Sequence, residues 1–187
     1  MYGELIFALW GSWSLYWLIS ARNTKRTERR ESLASRASHL APLFIGIALI
    51  AMERLPGNAL SGHFLARSLA TYWTGVALIA AGLGFTVWAR VHLRGNWSGT
   101  VTLKQSHELV RSGPYARVRH PIYTGLLLAT LGSCIVRDEW RAIAGFALVA
   151  ASFIGKLKIE ERWMREAFGD RYTNYAREVR ALVPGVY

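Results

Sequence analysis

The sequence predicts an all-α, polytopic membrane protein: a bundle of about five transmembrane helices followed by a C-terminal cytoplasmic amphipathic helix. Three observations lead to this fold class. Of the 187 residues, 52% are hydrophobic, and the mean hydropathy is positive at +0.17. The apolar residues collect in five runs, each close to the ~20 residues that cross a bilayer or somewhat shorter. The basic residues lie between these runs and, under the positive-inside rule, fall mainly on one side of the membrane.

The five apolar runs define the predicted spans in chain order. They cover residues 3–20, 40–55, 69–90, 121–136 and 140–156. No basic segment precedes the first run, which is therefore predicted to be a retained span and not a cleaved signal peptide. The second, fourth and fifth runs are short, which helix tilt or a thin bilayer would accommodate.

The end of the chain supplies the remaining predicted elements. Only Arg137-Asp138-Glu139 joins the fourth and fifth runs, so these spans are predicted to form a tight antiparallel hairpin. The segment Lys156 to Arg180 is predicted to be a cytoplasmic amphipathic helix that is interrupted near Gly169. The whole chain is predicted to be one membrane domain, with N-terminal spans in 1–68 and a cofactor-binding core in 69–187.

The basic residues set the predicted orientation. Nineteen of the 23 Lys and Arg residues lie in the 21–39 loop, in Arg90 and the loop after it, or in the tail from Lys156. This distribution predicts an outside N-terminus and a cytoplasmic C-terminus, and the compact chain favours a prokaryotic inner membrane. A net charge of +11 often indicates nucleic-acid binding, but here apolar runs of near-bilayer length separate the basic blocks. We therefore expect membrane lipids and no nucleic acid as partners, and the sequence leaves the oligomeric state open.

A polar, basic loop with Gly and Pro residues runs from His107 into the fourth span and is the most informative stretch of the chain. Pro121 favours the first turn of a helix, so His120 is predicted to lie at the helix N-cap or just before it. Unpaired backbone N–H groups and the helix dipole favour an anion there, and Arg119 adds positive charge. Gly125, further along the same helix, is expected to leave room for a bound ligand.

A second polar cluster follows the last apolar run. Glu160 and Glu161 are adjacent acids, and neighbours on a helix differ by about 100° in direction. One carboxylate can therefore accept from a ligand while the other pairs with Arg165, four residues beyond Glu161. The only cysteine, Cys134, lies in an apolar run and the histidines show no paired spacing, so the sequence predicts no intrachain disulfide and no metal site.

Several segments match one family pattern in order. They are His107-x-Leu-Val-x-x-Gly-x-Tyr115, Arg119-His-Pro-x-Tyr-x-Gly125, Glu160-Glu161, Phe168-Gly-x-x-Tyr172-x-x-Tyr175 and the stretch from Val179 to Pro184. Together they resemble the isoprenylcysteine carboxyl methyltransferase family of integral membrane enzymes and, more broadly, the isoprenylcysteine and phospholipid methyltransferases. The resemblance covers about residues 80–187. Lys156 stands where the eukaryotic pattern has an arginine, which loses bidentate recognition of a carboxylate.

The resemblance implies S-adenosylmethionine as methyl donor, bound at the cytoplasmic membrane surface, and a lipophilic acceptor that arrives laterally from the bilayer. A carboxylate such as a prenylcysteine-like substrate is the favoured acceptor. The implied cofactor-binding residues are Lys104, His107, Leu109, Val110, Gly113, Tyr115, Arg119, His120, Pro121, Tyr123, Gly125, Glu160 and Glu161. The residues assigned to catalysis are Arg119, Glu161 and Arg165. A cation would orient a carboxylate acceptor, whereas an amine acceptor would need Glu160 or Glu161 as base.

Other functions remain open from the sequence. An NADPH-dependent membrane reductase of the sterol-reductase type resembles this chain in its C-terminal half, although its usual scaffold is longer. A phospholipid amine N-methyltransferase would use the same donor on a different acceptor. A non-catalytic membrane protein that binds lipid or a partner helix would leave the polar loop before the fourth span without a role.

Overall fold

A computed structural model describes residues 2–22, 24, 27–52, 60–97, 102–104 and 109–185. Within these ranges the chain forms six α-helices and two short strands. The helices are α1 (Tyr2–Ala21), α2 (Leu33–Ala51), α3 (Leu69–Leu93), α4 (Pro121–Arg137), α5 (Trp140–Phe168) and α6 (Asp170–Glu178). The strands β1 (Thr27–Arg30) and β2 (Thr102–Lys104) form a two-stranded antiparallel sheet. Short 3-10 turns cover Arg94–Asn96 and Gly113–Ala116.

The first, third, fourth and fifth predicted apolar runs lie within α1, α3, α4 and α5. The second lies in α2 up to Ala51, and its residues 53–55 fall outside the described part of the chain. The all-α prediction is confirmed. Three of the described helices, α2, α3 and α5, are both long and apolar enough to cross a membrane, and α4 is apolar but shorter. The number of five spans stays a prediction. The tight α4–α5 hairpin is confirmed, because α4 ends at Arg137, Asp138 adopts a left-handed conformation with φ 53°, and α5 begins at Trp140.

The predicted start of the C-terminal amphipathic helix at Lys156 was wrong. Lys156 lies inside α5, which continues without interruption to Phe168. Ion pairs four residues apart, Lys156–Glu160 at 3.9 Å and Glu161–Arg165 at 2.9 Å, support the helix through this polar stretch. The helix ends at the predicted place, because Gly169 has φ +54°, which favours glycine. α6 follows as a separate short helix.

Paired glycines bring the helices close together. On α3 and α4, Gly82 faces Gly125 and Gly75 faces Gly132: a Cβ on Gly82 would lie 2.4 Å from the Gly125 carbonyl oxygen, and one on Gly132 would lie 2.5 Å from that of Gly75. Small residues allow this backbone approach between membrane helices. Gly84, two residues further along α3, takes no part in this approach, because a Cβ added there would meet nothing within 4 Å.

Polar contacts fix the end of the bundle at the α4–α5 turn. The carboxylate of Asp138, which is 2% exposed, accepts from the backbone N–H groups of Phe64 and Leu65 at 3.1 and 2.6 Å. Arg141 is 1% exposed and donates to the Leu49 carbonyl at 3.0 Å and to the Glu139 carboxylate. The bonds of Arg141 offset the desolvation cost of burying its positive charge, and they connect α2 to the α4–α5 turn.

Tryptophan side chains attach α1 to the rest of the bundle. The indole N–H of Trp13 donates to Thr86 of α3 at 2.6 Å, and that of Trp10 donates to Ser133 of α4 at 3.2 Å. Trp13 stacks on Trp17 with ring centroids 4.7 Å apart. α2 instead packs along α5, so that α1 and α2 stand on different sides of the bundle and leave a space over α4.

Candidate functional site

A large cavity of about 1040 Å³ occupies the space between α1, α2, α4 and α5. Its apolar part follows one face of each helix. Residues of this part include Ile6, Phe7, Trp10, Leu43, Ile47, Leu126, Thr130 and Val149. Phe7 and Ile47 are 81% and 47% exposed, so this part opens onto the side of the bundle that a bilayer would cover. At the other end the cavity reaches a polar cluster where α4 begins.

Arg119 is held at the centre of the polar cluster by several acceptors. Its guanidinium donates to Glu161 Oε1 from Nε at 2.8 Å and from Nη2 at 2.5 Å, and to the carbonyl oxygens of Ala176 at 3.0 Å and Val179. Its backbone N–H donates to the Arg180 carbonyl at 2.8 Å. Arg119 therefore joins four parts of the chain: the loop before α4, the polar end of α5, α6 and the C-terminal segment after it.

His120 and Tyr123 form the wall next to Arg119. His120 is the N-cap residue of α4, as predicted, and its ring lies 3.3 Å from Glu161 Oε1 and 3.6 Å from Glu160 Oε2. Burial by itself would lower the pKa of His120, but hydrogen bonds and charge from both glutamates outweigh it and raise the pKa. The His120 ring stacks parallel to Tyr123 at 5.6 Å, and Tyr123 stacks on Phe153 at 5.0 Å.

The two adjacent acids point in different directions, as their helical spacing predicted. Glu160 lines the cavity and accepts from the Tyr123 hydroxyl at 2.6 Å. Glu161 is 7% exposed and accepts from Arg119 and, at 2.9 Å, from Arg165. The predicted pairing of Arg165 with one of the two acids is confirmed. Glu160 therefore faces the cavity, whereas Glu161 lies behind the cavity wall and binds Arg119 and Arg165.

Tyrosines of α6 close the polar end of the cavity. Tyr172 and Tyr175 are each 2% exposed and line it, and Tyr175 donates to the Tyr115 carbonyl at 2.5 Å. Burial comes first among the causes that raise the pKa of Tyr175 to about 12, so this hydroxyl stays protonated and able to donate. The C-terminal segment also pairs with the loop, where Val118 and Arg180 form a parallel β-bridge.

The structure brings most of the predicted cofactor residues together. Those that line the cavity are Leu109, Val110, Tyr115, Arg119, His120, Pro121, Tyr123 and Glu160. His107 and the side chain of Lys104 lie outside the described residues, although the Lys104 backbone belongs to β2.

Four of the predicted site residues are placed away from the cavity wall. Glu161 lies behind it, Arg165 is about half exposed at 49%, and Gly113 turns with φ +60° against the His92 ring. The expectation that Gly125 leaves room for a ligand was wrong. Its missing Cβ faces α3, where an added carbon would lie 2.6 Å from the Gly82 carbonyl oxygen.

Sequence reasoning missed part of the site. Asn96 is 6% exposed, lines the cavity, and its Oδ1 has no hydrogen-bond partner among the described residues. Beside it, Trp97 lies edge-on to Trp17 at 5.5 Å. Tyr172 and Tyr175 belonged to the family pattern but were not among the predicted site residues, although their spacing of three residues on a short polar helix was a signal for one buried face.

Comparison with known proteins identifies the family. A family model described as "Phospholipid methyltransferase" matches residues 70–171, more than half of the chain. This chain belongs to the phospholipid methyltransferase family. A protein of Oryza sativa subsp. indica, named probable protein-S-isoprenylcysteine O-methyltransferase, is 30% identical over 58% of this chain and 52% of its own length. Protein-S-isoprenylcysteine O-methyltransferase B of Arabidopsis thaliana is 32% identical over 59% of this chain and 51% of its own length.

A solved structure supports the membrane fold of this phospholipid methyltransferase family member. The eukaryotic intramembrane Ras methyltransferase, isoprenylcysteine carboxyl methyltransferase, matches with a TM-score of 0.54 and 24% identity. The match covers 82% of this chain and 52% of that one. The chain is thus an integral membrane protein with a polytopic helical fold, and it spans about half the length of the curated relatives it matches.

Proposed function

We propose that the protein is an S-adenosylmethionine-dependent methyltransferase that acts on a lipophilic acceptor, favouring a carboxylate such as a prenylcysteine-like substrate. One observation carries this proposal: a polar cluster around Glu160 and a long apolar groove are parts of the same cavity. A polar donor and a lipid acceptor can meet only where two such environments join. The relatives named as isoprenylcysteine methyltransferases support it.

The polar part of the cavity fits the methyl donor by the chemistry of its groups. Glu160 can accept from hydroxyl or ammonium groups, and the buried Asn96 Oδ1 can accept from an amino group. Trp97 and Tyr115 offer aromatic faces on which a purine base could stack. When bound, S-adenosylmethionine supplies an electrophilic methyl group on a sulfonium. The protein's part is to orient the acceptor in line and to exclude water.

Lys156 is the residue we assign to orienting an anionic acceptor. It lines the cavity between Phe153 on the apolar side and Glu160 on the polar side, and its Nζ lies 5.5 Å from the Tyr123 ring centroid. It also pairs with Glu160 at 3.9 Å, whereas the guanidinium of Arg119 is fixed by Glu161 and two backbone carbonyls. A carboxylate is ionised at neutral pH, so its methylation needs a positioned cation and no strong base. Arg119 and Arg165 then act by holding Glu161.

Ligand binding tests this proposal directly. Calorimetry on purified protein should detect S-adenosylhomocysteine and not NADPH, whereas a sterol-reductase-type enzyme would give the reverse. Glu160→Gln, Glu161→Gln and His120→Ala should each abolish cofactor binding or turnover, while Asp170→Asn, a change at an exposed acid of α6, should leave both intact. Full activity in all three site variants would remove the site assignment.

A phospholipid amine is the second candidate acceptor, which the description of the matching family favours. An amine must lose a proton before it attacks, and Glu160 is the acid at the polar end of the cavity that could take it. Mass spectrometry of lipids and metabolites from cells with and without the gene would show which molecule gains one methyl group. We also propose a prokaryotic inner membrane, an outside N-terminus and a cytoplasmic site, which the distribution of basic residues supports.

A further inference from the structure

The strand β1 comes from the part of the chain that the family model does not match. That match begins at residue 70, whereas β1 covers Thr27–Arg30, between α1 and α2. β1 pairs with β2, which lies in the loop that leads to the polar cluster: Thr27 is opposite Lys104, Arg29 is opposite Leu103 and Arg30 is opposite Thr102. The N-terminal region therefore makes direct backbone contact with the predicted cofactor loop.

The same strand also contacts the helix on the other side of the cavity. The Arg29 guanidinium lies 4.3 Å from the Trp163 ring centroid and donates to Glu166 at 2.8 Å, and both partners belong to α5. Trp163 and the next residue, Met164, line the cavity. β1 thus links the loop that leads to the polar cluster, through β2, with the polar end of α5, which lines the cavity.

The charges of the cofactor restrict the route by which it can enter the cavity. S-adenosylmethionine carries an ammonium, a carboxylate and a sulfonium, and the apolar groove between α1 and α2 would impose a large desolvation cost on such groups. It must therefore enter from the polar end. We infer that β1 is a clasp across this entrance, with Arg29 as its latch, and that the clasp opens to exchange S-adenosylmethionine for S-adenosylhomocysteine. This inference rests on the proposed function.

The contacts of the clasp are weak enough for repeated opening. β1 and β2 contain only four and three residues, and a short two-stranded sheet has little stability of its own. Arg29 and Glu166 are 52% and 47% exposed, and exposed ion pairs contribute little. The cation–π contact with Trp163 adds a modest amount at an exposed site. The latch therefore changes the rate of opening without fixing the clasp shut.

The rate at which S-adenosylhomocysteine is released tests whether Arg29 keeps the clasp closed. We expect Arg29→Gln to speed release by roughly three- to tenfold, from the combined loss of an exposed ion pair and a cation–π contact. Arg30→Gln is the matched control, because successive side chains of a strand point to opposite faces. It removes the same charge from the same strand and should leave the release rate unchanged. Equal acceleration by both variants would mean that net charge, and not the latch, sets the rate.

A reversible cross-link tests the clasp itself. Arg30 and Thr102 are opposite each other in the sheet, at a separation that a disulfide can span. In the double variant Arg30→Cys/Thr102→Cys, oxidation should slow both uptake and release at least tenfold, and reductant should restore them, while each single variant stays insensitive. Unchanged exchange in the oxidised form would overturn the clasp. Absence of S-adenosylhomocysteine binding to the unaltered protein would instead overturn the proposed function, and the clasp with it.

Discussion

Gly125→Ala tests whether backbone contact between α3 and α4 positions the site. An added Cβ would lie 2.6 Å from both the Gly82 carbonyl oxygen and Thr86 Cγ2. Ordinary contact begins at 3.4 Å, so the helices must separate by about 0.8 Å, the difference between the two distances. Overpacking of this kind costs about 1–3 kcal/mol, which the better helix propensity of alanine offsets by up to ~1 kcal/mol. We expect a net loss of about 0–2 kcal/mol.

The matched control is Gly84→Ala on α3, where an added Cβ meets nothing within 4 Å. That variant should be neutral or more stable by up to ~1 kcal/mol, so the two variants should differ by about 1–3 kcal/mol in reversible unfolding in mixed micelles. Gly125 lies two residues beyond Tyr123, so the displacement should also weaken the 2.6 Å bond to Glu160 and the affinity for S-adenosylhomocysteine. Equal stability and equal affinity in the two variants would refute the close helix contact.

Three further predictions concern single side chains. Lys156→Gln should raise the KM for a carboxylate acceptor without changing cofactor affinity, with partial recovery in Lys156→Arg, as steady-state kinetics would show. Arg141→Met should lower stability by about 3–5 kcal/mol, measured by unfolding, because it leaves the Glu139 carboxylate and the carbonyl groups of Leu49 and Met52 without their buried cation. The folded-state pKa of His120 is raised, so the stability that its charged form contributes is fully present below the unfolded pKa of about 6.5. This stability is lost as the pH rises through the folded-state pKa. Melting curves of the unaltered protein should therefore show a decline in stability over this pH range, and His120→Gln should abolish the decline.

The helices were predictable because apolar runs of near-bilayer length admit few other structures in lipid. The continuation of α5 through Lys156 to Phe168 was not, because a polar stretch after a span was read as a new element. Ion pairs between residues four apart, such as Glu161–Arg165, stabilise α5 beyond the end of its apolar run, and the helix ends only at Gly169. The spacing of the charged residues indicated the length of α5, whereas the hydropathy of the sequence did not.

The site was predictable where a motif concentrates polar residues and not where the fold assembles it from distant segments. Arg119, His120 and Glu160 were named from the sequence and lie on the cavity wall. The pairing of β1 with β2 joins residues more than 70 positions apart, and the contribution of α1 depends on how it packs. Gly125 shows the opposite error, because glycine in a site motif was assigned to a ligand although it serves helix packing.

The charges around the two acids favour an anionic acceptor over an amine. Arg119, Arg165 and Lys156 contact Glu160 or Glu161, which leaves one positive charge in excess even when His120 is neutral. The hydrogen bonds and charge of both glutamates raise the pKa of His120 and favour its charged form, which adds to this excess. Glu160 already accepts from Tyr123, so taking a proton from an ammonium group would weaken an existing bond. A carboxylate needs no such transfer and gains from the excess charge, provided that the cation orients it without binding it tightly enough to reduce its nucleophilicity.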